Sequence, residues 1–98
     1  MNRSFIALLT ATLVTACSSH PEADGASLAA EKGCVACHGI SGQATAEIYP
    51  NLHMQWERYL RVQLLKYRSG ERENAVMNGF AMTLTDEEIR ALAEHYGT

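Results

Sequence analysis

The chain has 98 residues, of which 8 are Lys or Arg and 11 are Asp or Glu, so its formal net charge at pH 7 is −3. A chain of this length builds one small domain with a thin core, which usually needs a covalent or metal-based support. The acidic balance argues against a nucleic-acid partner.

The first 16 residues have the organisation of a bacterial export signal. A short segment that carries Arg3 precedes the mostly apolar stretch 5–14, which is too short to cross a bilayer. Small residues then precede Cys17, as in the lipobox where a signal peptidase cuts and the new N-terminal cysteine is diacylated. Ordinary cleavage would instead leave Cys17 as an exposed thiol in a compartment where disulfides form. We predict a signal peptide over 1–16, lipid on Cys17, a tether over 17–25, and a location on the periplasmic side of a bacterial membrane.

One copy of the motif Cys-x-x-Cys-His follows an Ala-rich segment, 26–32, that favours a helix. Its residues are Cys34, Cys37 and His38, and this pattern is the attachment signature of a c-type haem. Two thiols three residues apart can each add to a haem vinyl group, and the next imidazole can bind the iron as an axial ligand.

Half of a zinc site and a thioredoxin-like redox pair are the alternatives for this motif. A structural zinc site needs four ligands, and no cysteine follows Cys37. A thioredoxin-like pair lies beside a βαβ pattern, which the sequence lacks. The motif therefore favours one covalently bound haem c.

The rest of the chain predicts a loop and two helices. Gly and Pro residues mark 39–51 as a loop, and 55–68 is an amphipathic helix that ends at a Ser-Gly pair. Its stripe consists of Trp56, Tyr59, Leu60, Leu64 and Tyr67. A final helix begins at the capping box formed by Thr85 and Glu88. Its buried stripe consists of Ile89, Leu92, Ala93 and Tyr96. No segment alternates with the period of a strand, so we predict an all-α domain over 26–98.

The order of these elements resembles that of the class I c-type cytochromes. The segments YPNL at 49–52, YRSG at 67–70 and LTDEEI at 84–89 narrow the resemblance to one branch. This branch contains the haem units of periplasmic dihaem cytochromes and the cytochrome subunit of flavocytochrome c sulfide dehydrogenases. The similarity covers residues 27–97 and implies a small class I cytochrome c fold, with helices wrapped around one covalently bound haem.

The resemblance also implies the remaining residues of the haem site. Met77 lies seven residues before Leu84, at the position of the sixth iron ligand in this branch. In the same proteins the proline of the loop, here Pro50, offers its carbonyl oxygen to the Nδ1–H of the ligating histidine, here His38. That contact would fix the tautomer of the imidazole and raise its basicity.

The chain departs from the branch at His53 and Met54, where two small residues are usual. His53 is therefore an alternative to Met77 as iron ligand, and a second imidazole would give a lower reduction potential than a thioether. We expect Met54 and Met82 to pack as apolar side chains, and we expect His95 to be exposed and uninvolved.

The resemblance implies an electron carrier that is not itself a catalyst, because both axial positions of the iron are filled. Such a protein binds its redox partners weakly and briefly. With the predicted lipid anchor, it would be a shuttle tethered to a membrane. The alternative is the haem-relay subunit of a periplasmic dehydrogenase, bound to a flavoprotein subunit. A ligand-binding haem sensor is a further alternative, and it would require Met77 to dissociate easily from the iron.

Overall fold

The computed structural model describes residues 6, 7, 10–13 and 24–98 of the chain. Five helices and no strand occur in this part, which confirms the all-α prediction. The helices are α1 (Gly25–Glu31), α2 (Val35–His38), α3 (Glu57–Ser69), α4 (Ala75–Met82) and α5 (Asp86–Tyr96). The predicted lipidation site Cys17 and the predicted signal peptide lie wholly or mostly outside the described residues.

Helices α1 and α5 pack against each other and bring the two ends of the domain together. The side chain of Asp24 accepts a hydrogen bond from the backbone N–H of Ala26 and so caps α1, which begins one residue before the predicted helix. Near the other end of α1, Lys32 forms an ion pair of 3.3 Å with Glu88 of α5. Ala29 is the fully buried residue of α1 in this contact.

Helix α5 supplies most of the core. The predicted capping box is confirmed, because Thr85 and Glu88 each accept a hydrogen bond from the backbone of the other. The predicted stripe is confirmed as well, since each of its members is at most 5% exposed. These residues are Ile89, Leu92, Ala93 and Tyr96. Leu60 of α3 and Leu84 complete the same apolar cluster.

The predicted amphipathic helix 55–68 is α3, with its start displaced by two residues. Trp56 lies in extended backbone just before the helix and is 74% exposed, so it does not belong to the buried stripe. Gly70 ends α3 with a φ of 82°. A residue in this left-handed conformation is most often glycine, because other side chains are strained there.

Helix α4 was not predicted from the sequence. It begins after Asn74, whose side chain accepts a hydrogen bond from the backbone N–H of Met77. The expectation that Met82 packs in the core is wrong, because Met82 is 70% exposed. Ala81 is the buried residue of α4, and the next residue along a helix points about 100° away from it, which here leaves Met82 in solvent.

The expectation that Met54 packs as an apolar side chain is also wrong. Met54 is 82% exposed and adopts a φ of 63°. Its neighbour His53 donates a backbone hydrogen bond to the carbonyl oxygen of Gly42. This turn directs the Met54 side chain into solvent.

Within the described residues, no helix combines the length and apolar character that crossing a bilayer requires.

Candidate haem site

A cavity of about 490 Å³ lies between the Cys-x-x-Cys-His segment, the following loop, and helices α3, α4 and α5. Its volume falls within the range of about 300–1,000 Å³ that is typical of ligand and cofactor sites. Most of its wall is apolar or aromatic. The aromatic residues that line it are Tyr49, Tyr59, Tyr67, Phe80 and Tyr96.

Cys34, Cys37 and His38 line one part of this cavity. Cys34 is the first residue of the turn that forms α2, and the other two lie inside that turn. Residues three apart in a helix share a face, so the two thiols are presented to the same cavity. Both cysteines are free and half-buried. Burial raises the pKa of the Cys34 thiol, so this thiol is uncharged at neutral pH before attachment.

The short helix α2 is held at its end by Gly39 and Thr45. Gly39 has a φ of 76°, and a Cβ there would collide with the backbone of Gln43, so this turn requires glycine. The hydroxyl of Thr45 donates a hydrogen bond to the carbonyl oxygen of Ala36. The backbone N–H of Thr45 donates a second one to the carbonyl oxygen of Cys37. These bonds satisfy carbonyl groups that a helix end leaves without partners.

The imidazole of His38 is oriented by Pro50. The distance between His38 Nδ1 and the Pro50 carbonyl oxygen is 2.9 Å, and His38 is only 9% exposed. A carbonyl oxygen accepts but cannot donate, so this contact places the proton on Nδ1. The Nε2 atom is thereby left with its lone pair free for a metal ion.

Met77 reaches the same cavity from α4, where it is half-buried. Neither Met54 nor Met82 lines the cavity, and His53 does not line it either. The structure therefore brings Met77 together with Cys34, Cys37 and His38 in one cavity. His53, the alternative ligand, lies outside this cavity.

Two hydrogen bonds between α5 and the loop that follows His38 were not predicted from the sequence. Tyr96 donates a hydrogen bond of 2.9 Å from its hydroxyl to the carbonyl oxygen of Gly39, the residue that follows His38. His95 Nε2 lies 2.8 Å from the carbonyl oxygen of Ile40, and His95 is half-buried, so the expectation that it is exposed is wrong, although it does not line the cavity. Burial raises the pKa of Tyr96 to about 12, so its hydroxyl remains a donor throughout the neutral range.

These residues fit a covalently attached haem. Two adjacent thiols can take up the vinyl groups, while an oriented imidazole and a thioether can supply axial ligands, and apolar walls suit a porphyrin. The alternatives for the motif find no support in the described part of the chain. No three His, Cys, Asp or Glu side chains converge there as a metal site would need, and no βαβ unit occurs there.

Comparison with known proteins agrees with this assignment. The sequence pattern of the cytochrome c family matches residues 22–96. Cytochrome c-554(548) of Halomonas halodenitrificans is 44% identical over 68 residues, which cover 66% of this chain and 82% of that protein. The cytochrome subunit of sulfide dehydrogenase from Chlorobaculum tepidum is 33% identical over 64 residues, which cover 65% of this chain and 57% of that protein.

A solved structure of cytochrome c4 from Acidithiobacillus ferrooxidans superposes with a TM-score of 0.67 at 28% identity. The match covers 74% of this chain and 45% of the cytochrome c4 chain. Fold, site and sequence together define a class I c-type cytochrome. The chain belongs to the cytochrome c family, whose members bind haem c covalently and carry electrons between redox partners. It spans only about a third of the length of several other curated relatives that it matches.

Proposed function

We propose that this protein is a single-haem carrier that passes one electron at a time between periplasmic redox partners. In this proposal Cys34 and Cys37 hold the haem through thioether bonds, and His38 and Met77 are the axial ligands of its iron. The observation that carries the proposal is that these four side chains line one cavity. When bound, haem c supplies an iron that accepts and releases single electrons.

The residues of the chain have separate tasks in this proposal. Pro50 accepts the Nδ1–H of His38, which keeps the imidazole in one tautomer and makes its Nε2 a stronger donor. Met77 contributes a soft thioether, which favours ferrous iron and supports a higher potential than a second imidazole would. Because both axial positions are then filled, small molecules have no open position at which to bind.

Covalent attachment and one-electron chemistry can be tested on the purified protein. Acid-acetone treatment should leave the haem with the polypeptide, and a redox titration should follow a one-electron curve. Cys34→Ser and Cys37→Ser should each leave the haem attached through one thioether bond only. Cys17→Ser is the control and should keep both thioether bonds. Haem that extracts freely from the unmodified protein would overturn the proposal.

We propose further that residues 1–16 are an export signal, that Cys17 carries lipid, and that the predicted tether 17–25, whose last residue is already the first of α1, joins the haem domain 26–98 to the periplasmic face of a membrane. The support comes from the apolar stretch and from the small residues before Cys17. A lipid anchor with two or three acyl chains would bind a membrane stably.

The anchor is tested with Cys17→Ala in cells that express the full chain. This variant should move to the soluble fraction or remain unprocessed, with an unchanged haem spectrum. If it stays on salt-washed membranes to the same extent as the unmodified protein, Cys17 is not the anchor.

A second candidate function is the haem-relay subunit of a dehydrogenase. It is favoured by the similarity to the cytochrome subunit of sulfide dehydrogenase, and by two relatives described as electron acceptors of thiosulfate dehydrogenase. Affinity purification from native membranes separates the two functions. A subunit would be recovered with a flavoprotein or another dehydrogenase in equal amounts, whereas a shuttle would be recovered alone.

A further inference from the structure

Three helices meet at one end of the haem domain, which we call the tether end. A Cβ on Gly25, the first residue of α1, would collide with the side chain of His95 in the last turn of α5. Beyond α5, the backbone N–H of Thr98 donates a hydrogen bond to the carbonyl oxygen of Gln55. The carbonyl oxygen of Thr98 accepts one from the backbone N–H of Glu57, the first residue of α3. The tether end is therefore the place where α1 and α3 begin and α5 ends.

Two loop segments belong to the same end of the domain. The carbonyl oxygen of Ile40 lies 2.8 Å from His95 Nε2. Two residues further along the chain, the carbonyl oxygen of Gly42 accepts a hydrogen bond from the backbone N–H of His53. These contacts place Ile40 at the tether end, together with the turn 52–56 that leads into α3.

Exposed apolar side chains are concentrated at the tether end. Within residues 24–98, five large apolar side chains are at least 70% exposed. One of them, Ile48, lines the haem cavity, and another, Met82, lies on α4. The other three lie at the tether end and outside the cavity, and they are Ile40, Met54 and Trp56. Several exposed apolar side chains at one place on a surface indicate a contact site.

The turn that carries Met54 and Trp56 has a defined conformation. Met54 has a φ of 63°, where a long side chain is strained, and strain of this kind is retained most often at functional sites. A Cβ on Gly42 would collide with the backbone nitrogen of His53, so the loop packs closely against this turn. The backbone N–H of Trp56 donates a hydrogen bond of 3.0 Å to Gln55 Oε1. Ordered backbone therefore holds these two apolar side chains in solvent.

The proposed lipid on Cys17 would keep the tether end close to a membrane. Cys17 lies eight residues before Gly25, and a chain of that length spans at most about 29 Å when it is fully extended. A bilayer that holds the lipid is then within reach of the exposed apolar side chains at this end.

The chemistry of the tether end fits the boundary between lipid headgroups and hydrocarbon. Trp is enriched at this boundary, because its ring is apolar while its N–H can stay hydrated. The charged side chains of the described residues at this end do not form a basic patch, since Asp24 and Glu57 are acidic and Arg58 is basic. Contact with a bilayer would therefore depend on apolar burial and would not need anionic lipids.

We propose that Ile40, Met54 and Trp56 form a membrane-contact face, which enters the headgroup region of the bilayer that holds the lipid on Cys17. This proposal rests on the lipid anchor proposed above. The anchor alone would leave the haem domain free to turn, whereas a second point of contact gives the domain one orientation on the membrane.

This orientation keeps one side of the haem cavity open to redox partners. Tyr67 lies about 15 Å along α3 from Glu57 at the tether end. The side chain of Asn78 on α4 donates a hydrogen bond of 2.7 Å to the carbonyl oxygen of Tyr67. Helix α4 and the part of the cavity wall that it forms are therefore directed away from the membrane.

The test is the oxidation of methionine by chloramine T, measured by mass spectrometry on the full haem-loaded protein in phosphatidylcholine vesicles. Met54 reports on the membrane-contact face. Met82 is the internal control, because both side chains are largely exposed and neither lines the cavity. We expect Met54 to react several-fold more slowly on vesicles than in Cys17→Ala without vesicles, and the rate of Met82 to stay unchanged. Equal rates of Met54 in the two samples would overturn the proposal.

Trp56→Ser tests the face itself, and Met82→Ser is the matched control. In Trp56→Ser on vesicles, Met54 should react nearly as fast as in protein without vesicles. Met82→Ser removes an exposed apolar side chain from α4 and should leave Met54 protected. The haem spectrum of each variant should match that of the unmodified protein. Loss of protection in both variants, or in neither, would contradict the proposal.

The mass of the peptide that contains Cys17 separates the contact face from the anchor. If Cys17 carries lipid and Met54 is not protected, the anchor stands and the face is wrong. If Cys17 carries no lipid, flotation of the unmodified protein with the vesicles decides. Flotation that is lost in Trp56→Ser supports the face, whereas no flotation, or flotation that Trp56→Ser retains, overturns it.

A second copy of the chain is the other partner that an apolar face could bind. In that case Met54 would be protected without vesicles, and its protection would increase with the concentration of the protein. This result would assign the face to self-association and overturn the proposed contact with lipid.

Discussion

The hydroxyl of Tyr96 donates a hydrogen bond of 2.9 Å to the carbonyl oxygen of Gly39, so the last helix is tied to the residue that directly follows His38. Tyr96 is only 5% exposed. A buried hydrogen bond of this kind contributes about 0.5–1.5 kcal/mol. Tyr96→Phe should lower the free energy of unfolding by about 1 kcal/mol, which chemical denaturation measures. Identical unfolding curves would mean that water replaces the hydroxyl without loss.

The same residue predicts a pH dependence at alkaline pH. Tyr96 has a pKa of about 12 in the folded protein, above its ordinary value of 10.0, because burial disfavours the phenolate. Between these values the folded state keeps a proton that the unfolded state has lost, so stability is full below pH 10.0 and falls as the pH rises toward 12. The difference in stability between the unmodified protein and Tyr96→Phe should shrink over this range. A difference that stays constant would contradict the assigned pKa.

The close contact between α1 and α5 predicts a second effect on stability. A Cβ on Gly25 would collide with the carbonyl oxygen of Ala91 and with the side chain of His95. Gly25→Ala should therefore destabilise the protein by about 1–3 kcal/mol, as overpacking usually does, and thermal unfolding should show a lower Tm. Gly79→Ala is the control, since a Cβ in this α4 position meets nothing within 4 Å apart from the neighbouring residues and backbone of its own helix. It should stabilise the helix by about 0.5–1 kcal/mol. Equal effects of the two substitutions would refute the packing argument.

The capping box of α5 predicts a loss of stability in acid. The backbone hydrogen bond from Thr85 and the ion pair with Lys32 hold the pKa of Glu88 below its ordinary value of 4.5. The ionised carboxylate therefore stabilises the folded state above pH 4.5, and this contribution is lost as the pH falls through the lower folded pKa. Glu88→Gln keeps the reach of the capping box but cannot ionise, so its stability should fall less steeply in acid. If the free energy of unfolding of the unmodified protein and of Glu88→Gln falls equally with pH in acid, Glu88 is not the source of the acid sensitivity.

Local sequence patterns predicted the elements that depend on local chemistry. The Cys-x-x-Cys-His motif marked one wall of the haem cavity, and the capping box and stripe of α5 predicted both the start of that helix and its buried face. These features depend on residues within a few positions of one another, so their spacing is sufficient to find them.

Other features could not be predicted, because they depend on distant contacts. Helix α4 has only eight residues, too few for a clear periodic stripe, and Asn78 ties it to the end of α3. The hydrogen bond between Tyr96 and Gly39 joins residues 57 positions apart. The exposed positions of Met54 and Met82 were missed for a related reason, since an apolar side chain alone does not say which way a turn or a short helix faces.

The identity of the sixth ligand is the central claim of the proposed function. Met77 lines the haem cavity together with His38, while His53 does not. Met77→Ala should abolish the weak near-red band between sulfur and iron, open the reduced iron to carbon monoxide, and lower the reduction potential. His53→Ala should change none of these properties, and Met82→Ala serves as a second control because Met82 is exposed and lies outside the cavity.

The most direct measurement is therefore the ferric absorption spectrum of Met77→Ala beside that of His53→Ala, both recorded at neutral pH on protein with haem attached. We predict that the near-red band disappears in Met77→Ala and persists in His53→Ala. A spectrum that is unchanged in Met77→Ala and altered in His53→Ala would contradict the proposal and assign the sixth position to His53.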